Sequence, residues 1–209
     1  EMSYVIHEGD CFKLLCKMKA KSIDSVIVDP PFYGFDLVAE TPEDYWKKLE
    51  RYYNEMVRVC KNDKRLAISA STGCREYIFP KVKATSVIQL ENCFTDERGI
   101  GASFMARNPV LDVDKPQNFE QLSAEKWPLD IVSASRHPNS RDVNKMSVVV
   151  KAMTNEGDTV LDPFCGSGSI GIACVLLGRN YVGMELIPER AAEARIRLEE
   201  AEKVFESMS

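Results

Sequence analysis

Asp158-Thr159-Val160-Leu161-Asp162-Pro163-Phe164-Cys165-Gly166-Ser167-Gly168-Ser169-Ile170-Gly171 decides the fold. Thr159–Leu161 reads as a buried strand, the glycines as a tight loop, and Ser169–Leu177 as a helix stopped by Gly178. The glycines fit GxGxxG in the context that gives the spacing meaning, between a strand and a helix. Gly166 and Gly168 let backbone approach a ligand closely, and Gly171 permits close helix–sheet contact. Asn180–Met184 is the next strand. Glu185 ends it, 23 residues after Asp162, where a carboxylate can hold two ribose hydroxyls. The spacing alone admits a nicotinamide dehydrogenase. Asp162-Pro163-Phe164 counts against it, because a dinucleotide loop starts directly after its strand without an intervening Asp-Pro.

Strand-like and helix-like stretches alternate on both sides of this unit, the pattern of an α/β sheet with helices on its faces. Strands are expected at Tyr4–His7, Ser25–Val28, Arg65–Ser69, Ser86–Leu90 and Gly101–Arg107. Helices are expected at Cys11–Met18, Pro42–Cys60, near Cys74–Lys81, at Met146–Met153, and from Pro188 to about Phe205. Apolar or aromatic residues at 45, 46, 49, 52, 53, 56, 57 and 60 give the second helix its buried face. Asp112–Gln121 is a polar stretch, and Trp127-Pro128 a turn.

The strand Ser25–Val28 ends on Asp29-Pro30-Pro31-Phe32. Two consecutive prolines fix φ, lack N–H donors and bias the preceding residue toward extended geometry, which holds the Asp29 carboxylate and the Pro30 carbonyl out as acceptors. Such a pair can grip an exocyclic amino group while Phe32 stacks on the ring that bears it. A strand running into a proline-rich turn is the plainer reading of the same residues.

At 209 residues, the chain suits one domain with a sizeable core. No apolar run reaches the roughly 18–20 residues that cross a bilayer, and no basic stretch leads into an apolar core as in a signal peptide. The 7 cysteines form no CxxC pair and only 2 histidines accompany them, so the sequence offers no metal site, and buried structural thiols imply a reducing compartment such as the cytoplasm. The net charge of −5 lowers the expected non-specific affinity for nucleic acid while leaving room for a local basic face.

Val160–Gly168, followed by Leu177–Glu185, resembles the cofactor-binding region of the S-adenosylmethionine-dependent DNA amino-methyltransferases, which make N6-methyladenine or N4-methylcytosine. Asp29-Pro30-Pro31-Phe32 resembles their catalytic motif, and its place ahead of the glycine loop is the permuted order of the β class. The resemblance implies a class I methyltransferase fold: α/β, Rossmann-like, doubly wound, with a mostly parallel sheet in one domain over residues 1–209. The catalytic half would span about 1–83, a variable recognition region about 84–136 and the cofactor half about 137–209.

The implied cofactor is S-adenosyl-L-methionine. Its adenine would meet Gly9-Asp10 and the adjoining Cys11, and its ribose Glu185. Asp162, Pro163, Phe164, Gly166, Ser167 and Gly168 would cradle it, with Asp29 close to its methyl group. A family His-Pro…Lys-Pro stretch lines the methionine end; here His137-Pro138 and Lys145 correspond, with Met146 in place of the second proline. Asp10 is also readable as a helix N-cap, His137 as a turn residue, and Glu185 as a solvated strand-end carboxylate.

The implied reaction is methylation of the adenine N6 amine in duplex DNA. Asp29, Pro30, Pro31 and Phe32 would form the catalytic motif, the target nucleotide would be flipped out of the stack, and Phe32, Tyr33 or Phe35 would receive it. Asp at the head of the motif points to adenine within this class, whereas Ser goes with cytosine. Alternatives are N4-cytosine methylation, an RNA adenine methyltransferase, a protein glutamine methyltransferase, whose motif usually begins with Asn in the unpermuted order, and a non-catalytic subunit of a larger complex. Arg98, Arg107, Lys115, Lys126, Arg136 and Arg141 are the basic residues on hand for phosphate or base contacts. So short a region between the halves implies a short target, a homodimer, or a partner chain that confers specificity.

Overall fold

The computed structural model describes residues 2–31, 41–70, 75–90, 102–107, 109–110, 132, 135 and 140–208. Among them run β1 (Tyr4–Glu8), α1 (Cys11–Lys17), β2 (Ile23–Val28), α2 (Pro42–Val59), β3 (Cys60–Ala70), α3 (Arg75–Lys81), β4 (Ser86–Leu90), β5 (Ala102–Arg107), α4 (Val143–Met153), β6 (Thr159–Asp162), α5 (Ser169–Leu176), β7 (Asn180–Glu185) and α6 (Pro188–Met208). The strands form one 7-stranded sheet in the order β1-β7-β6-β2-β3-β5-β4. Pairing is parallel from β1 through β3, and only β5 runs against its neighbours. This is the doubly wound α/β arrangement expected from the sequence.

The period of two along each strand sorts side chains to the two faces. Ile27, Ala67, Phe104, Val160 and Tyr181 join one core with α4, α5 and α6. Their neighbours Val26, Val28, Leu66, Ile68, Met105 and Leu161 join another with α1, α2 and α3. Helix α5 is buried along its whole length, which is why its sequence is apolar throughout rather than amphipathic. Helix α2 buries Tyr45, Trp46, Leu49, Tyr53, Met56 and Val59, while Thr41 caps its start by accepting from Asp44 N and Pro42 opens its first turn.

Several boundaries differ from the sequence reading for local reasons. Helix α4 begins at Val143, three residues earlier than expected, because Asp142 caps it by accepting from Asn144 N and Lys145 N. Strand β3 begins at Cys60 rather than Arg65, since Ile23 at the start of β2 already pairs with Cys60. Strands β6 and β7 extend to include Asp162 and Glu185, so both carboxylates sit on the last residue of a strand. The polar stretch 112–121 and the turn at 127–128 lie outside the described residues.

From β6 the chain winds one way to β7, and from β2 it winds the other way to β3, so the switch point lies between the paired strands β6 and β2. In open α/β sheets, ligands bind in the crevice outside the carboxyl ends of the strands at such a point. Asp162 and Asp29 stand on either side of it.

Candidate active site

A cleft of about 440 Å³ opens at this switch point. On the cofactor side, Asp10, Cys11, Asp162, Pro163, Phe164, Gly166, Ser167 and Glu185 line it, and on the other side Asp29, Pro30 and Pro31 do. Gly168 does not face the cleft. Its φ of 83° places it in the left-handed region at the start of α5, and a Cβ there would lie 2.9 Å from Leu198 Cδ1, so this glycine lets α6 close against the loop. A Cβ on Gly171 would lie 2.5 Å from the Tyr181 ring, the tight helix–sheet contact expected of that position.

The loop is held mainly through its backbone. Cys165 N donates to Met184 O at 3.0 Å and Gly168 N to Cys165 O at 2.9 Å. Gly166 N donates to Glu185 Oε2 at 2.9 Å and Ile187 N to Glu185 Oε1 at 2.8 Å, while Gly9 N reaches the Glu185 carbonyl at 2.8 Å. Glu185 is therefore buried and clamped by two amides, so it is not a solvated strand-end carboxylate. A carboxylate has about four lone-pair sites, which leaves acceptor capacity on each oxygen. Buried Arg197 of α6 donates to the Ser167 carbonyl at 2.6 Å and fixes the loop from behind.

Asp10 is the cap of α1, its Oδ1 accepting from Lys13 N at 3.1 Å, and it also lines the cleft. Cys11 beside it is buried, and that burial, with Asp10 adding to it, pushes its thiol up to about 12. Asp162 accepts from Phe164 N at 3.3 Å and shares a 3.1 Å hydrogen bond with the Tyr181 hydroxyl. Complete burial pushes its carboxyl up to about 8, the nearby charges of Asp29 and Glu185 add to the rise, and the two hydrogen bonds oppose it.

On the target side, the Tyr45 hydroxyl donates to the Pro31 carbonyl at 2.9 Å and ties the proline turn to α2. The Asp29 carboxylate meets the Arg141 guanidinium side-on, Nε to Oδ2 at 2.6 Å and Nη2 to Oδ1 at 3.1 Å. Phe32, Tyr33 and Phe35 lie outside the described residues, as does His137.

Lys145 is not among the residues that line the cleft: it sits in the first turn of α4, where its amide serves the Asp142 cap. Arg141, four residues earlier, does line it, and its guanidinium is engaged by Asp29. Arg107 ends β5, pairs in register with Leu66 within β3, reaches the Tyr53 hydroxyl at 3.5 Å, and does not line the cleft. Arg98, Lys115, Lys126 and Arg136 lie outside the described residues.

The sequence reading missed Tyr52, Ser140, Leu186, Ile187 and Arg190 as lining residues. Tyr52 had been placed on the buried face of α2, yet its ring packs on Phe164 at 5.5 Å and Phe12 at 5.7 Å as part of the cleft wall. Exposed apolar Leu186 and Ile187, directly after a strand-end Glu, were a usable signal, because an isolated apolar pair at a strand end invites a ligand surface. Ser140 hydrogen-bonds Ser167 at 3.0 Å and Ser169 at 3.1 Å, a contact without a trace in local sequence. Among the described residues, no group of His, Cys, Asp or Glu could hold a metal ion. No helix there is long and apolar enough to cross a membrane.

The sheet order, the cleft at its switch point and a proline-led acceptor facing a glycine loop define a class I methyltransferase of the amino-methylating kind. Residues 112–195 match the family model described as DNA methylase, for N6 and N4 methyltransferases. The Type II methyltransferase M2.DpnII of Streptococcus pneumoniae is 39% identical over 240 residues, covering 93% of this chain and 89% of its own length. DNA adenine methyltransferase YhdJ of Escherichia coli strain K12 is 24% identical, covering 90% and 80%. Among solved structures, the M1.HpyAVI complex with SAM superposes with a TM-score of 0.67 at 24% identity, covering 93% of this chain and 98% of that one. The cytosine-N4-specific PvuII DNA methyltransferase gives 0.67 at 14%, covering 99% and 92%. The chain belongs to the N6/N4 family of S-adenosylmethionine-dependent DNA methyltransferases.

Proposed function

We propose that this chain, as a single methyltransferase domain, transfers the methyl group of S-adenosyl-L-methionine to the N6 amine of adenine in DNA. The observation that carries the reading is one cleft with Asp29-Pro30-Pro31 on one wall and the Gly166 loop with Glu185 on the other. The residues fit the cofactor. Gly166 faces open space, with nothing within 4 Å of where a Cβ would stand, so a ligand can lie against its backbone. Glu185 retains acceptor capacity for ribose hydroxyls, Leu186 and Ile187 offer apolar surface to a flat ring, and Asp10 lies at the same end. The bound cofactor supplies an electrophilic sulfonium methyl.

The adenine amine is a weak nucleophile because its lone pair is delocalised into the ring. Donation of its two hydrogens to the Asp29 carboxylate and the Pro30 carbonyl favours a tetrahedral nitrogen with its lone pair directed at the methyl carbon. As the N–C bond would form at the expense of the S–C bond, the positive charge developing on nitrogen would be met by the Asp29 carboxylate and the Pro30 carbonyl. The resulting ammonium is acidic and releases its proton through Asp29 or water. Since Asp29 already bears a guanidinium partner, it acts chiefly by position and charge rather than as a strong base. Phe32 would stack on the flipped base.

The name of the Escherichia coli relative as an adenine enzyme supports N6 over N4 chemistry. DNA affinity should be modest and steeply salt-dependent, with a short target or one supplied by a second copy or a partner chain, given the net charge of −5. Residence in the cytoplasm agrees with the free thiols of Cys11, Cys60, Cys165 and Cys174, although Cys16 is exposed rather than buried. Incubation with labelled cofactor and unmethylated duplex DNA, followed by nucleoside mass analysis, should yield N6-methyladenine. N4-methylcytosine alone, or label only in RNA or protein, would overturn the assignment.

A further inference from the structure

Three consecutive side chains, Ser140, Arg141 and Asp142, are each anchored to a different part of the site. Ser140 hydrogen-bonds Ser167 and Ser169 of the glycine loop. Asp142 caps α4 through Asn144 N and Lys145 N. Arg141, between them, holds Asp29 across 112 residues of sequence with both arms of its fork. A planar guanidinium bound side-on fixes both the position and the plane of a carboxylate, which an ammonium cannot do.

Relative burial decides what this pair does. The Arg141 side chain is 4% exposed and that of Asp29 16%. Both residues line the cleft, and the carboxylate is the more open of the two, with acceptor capacity beyond the two bonds to the fork. Arg141 therefore ties the amine acceptor to the glycine loop through one short stretch of backbone.

We propose that Arg141 is a positioning residue for methyl transfer: it sets the Asp29 carboxylate in place relative to the cofactor cradle, so that amine and methyl group meet in line. This rests on the reading of Asp29 as the amine acceptor. Transfer requires the reacting atoms about 3–3.5 Å apart, and a misplacement of about 1 Å can lower the rate about a hundredfold.

The test measures kcat, the KM for each substrate and cofactor affinity for wild type, Arg141→Lys and Arg141→Ala. Arg141→Lys keeps the charge, folds with its carboxylate neutralised, and loses the fork. Its kcat should fall about 10- to 100-fold while cofactor affinity stays within about threefold. Arg141→Ala should fall further and regain part of its turnover when guanidinium ion is added at millimolar concentration, a rescue that a purely structural role would not give. Wild-type kcat in Arg141→Lys, or higher turnover in Arg141→Ala, would overturn the proposal. Failure of the Asp29 reading is distinguishable, because then Asp29→Asn would retain turnover whatever Arg141 does.

Discussion

The two walls of the cleft are built by different means. The cofactor wall is a continuous strand, loop and helix whose contacts are mostly backbone amides, with Glu185 clamped by Gly166 N and Ile187 N and with Gly168 and Gly171 packed where a Cβ would collide. The target wall is a strand end and two prolines held by side chains from elsewhere, the Tyr45 hydroxyl on Pro31 and the Arg141 fork on Asp29. Substitutions on the first wall should alter cofactor binding and stability. Those on the second should alter turnover while leaving cofactor binding largely intact.

The largest effect is expected at Asp29. Asp29→Ala should lose turnover by about three orders of magnitude or more, roughly 4 kcal/mol of transition-state stabilisation. It should also lower the Tm, because it removes the carboxylate that both arms of the buried Arg141 fork engage. Asp29→Asn, which keeps an oxygen acceptor for that guanidinium, should recover part of the Tm but little of the turnover.

Glu185→Ala comes next, with cofactor affinity weakened by roughly 1.5–3 kcal/mol, the scale of a charge-assisted hydrogen bond to a partner left unsatisfied. Unchanged affinity would show that Glu185 only shapes the loop. Gly171→Ala should cost about 1–3 kcal/mol of stability as the Tyr181 ring is forced aside. A Tm equal to wild type in thermal unfolding would mean that this contact relaxes freely.

The smallest effect per step is a pH dependence. Folding raises the Asp162 carboxyl from an ordinary value of 3.8 to about 8, so the folded state binds a proton that the unfolded chain gives up. Its contribution to stability is complete below about pH 4 and is lost as pH rises through 8, at a slope of no more than about 1.4 kcal/mol per pH unit. Asp162→Asn should flatten unfolding profiles between those limits. An equally steep profile in the variant would assign the slope to other groups.

What the sequence made legible follows the same division. GxGxxG and Glu185 are local patterns, and the structure places both at one cleft because a strand–loop–helix unit folds from neighbouring residues. Asp29-Pro30-Pro31 was equally local. The partner of Asp29 was not: Arg141 lies 112 residues away and read only as one of several basic residues on hand for phosphate or base contacts. Capping by Asp142 starts α4 at Val143, which puts Lys145 in the helix, while Arg141 precedes the helix and lines the cleft. Tyr52 packs on the core as its spacing implied, and it lines the cleft as well, because a helical position of the right period can face both.

The separation of the two walls is tested most directly by calorimetric titration of S-adenosylmethionine into Asp29→Ala, with turnover assayed on the same sample. Asp29→Ala should bind the cofactor with a Kd within a few-fold of wild type while no longer methylating DNA. A Kd weakened as far as that of Glu185→Ala, or turnover at the wild-type rate, would contradict it.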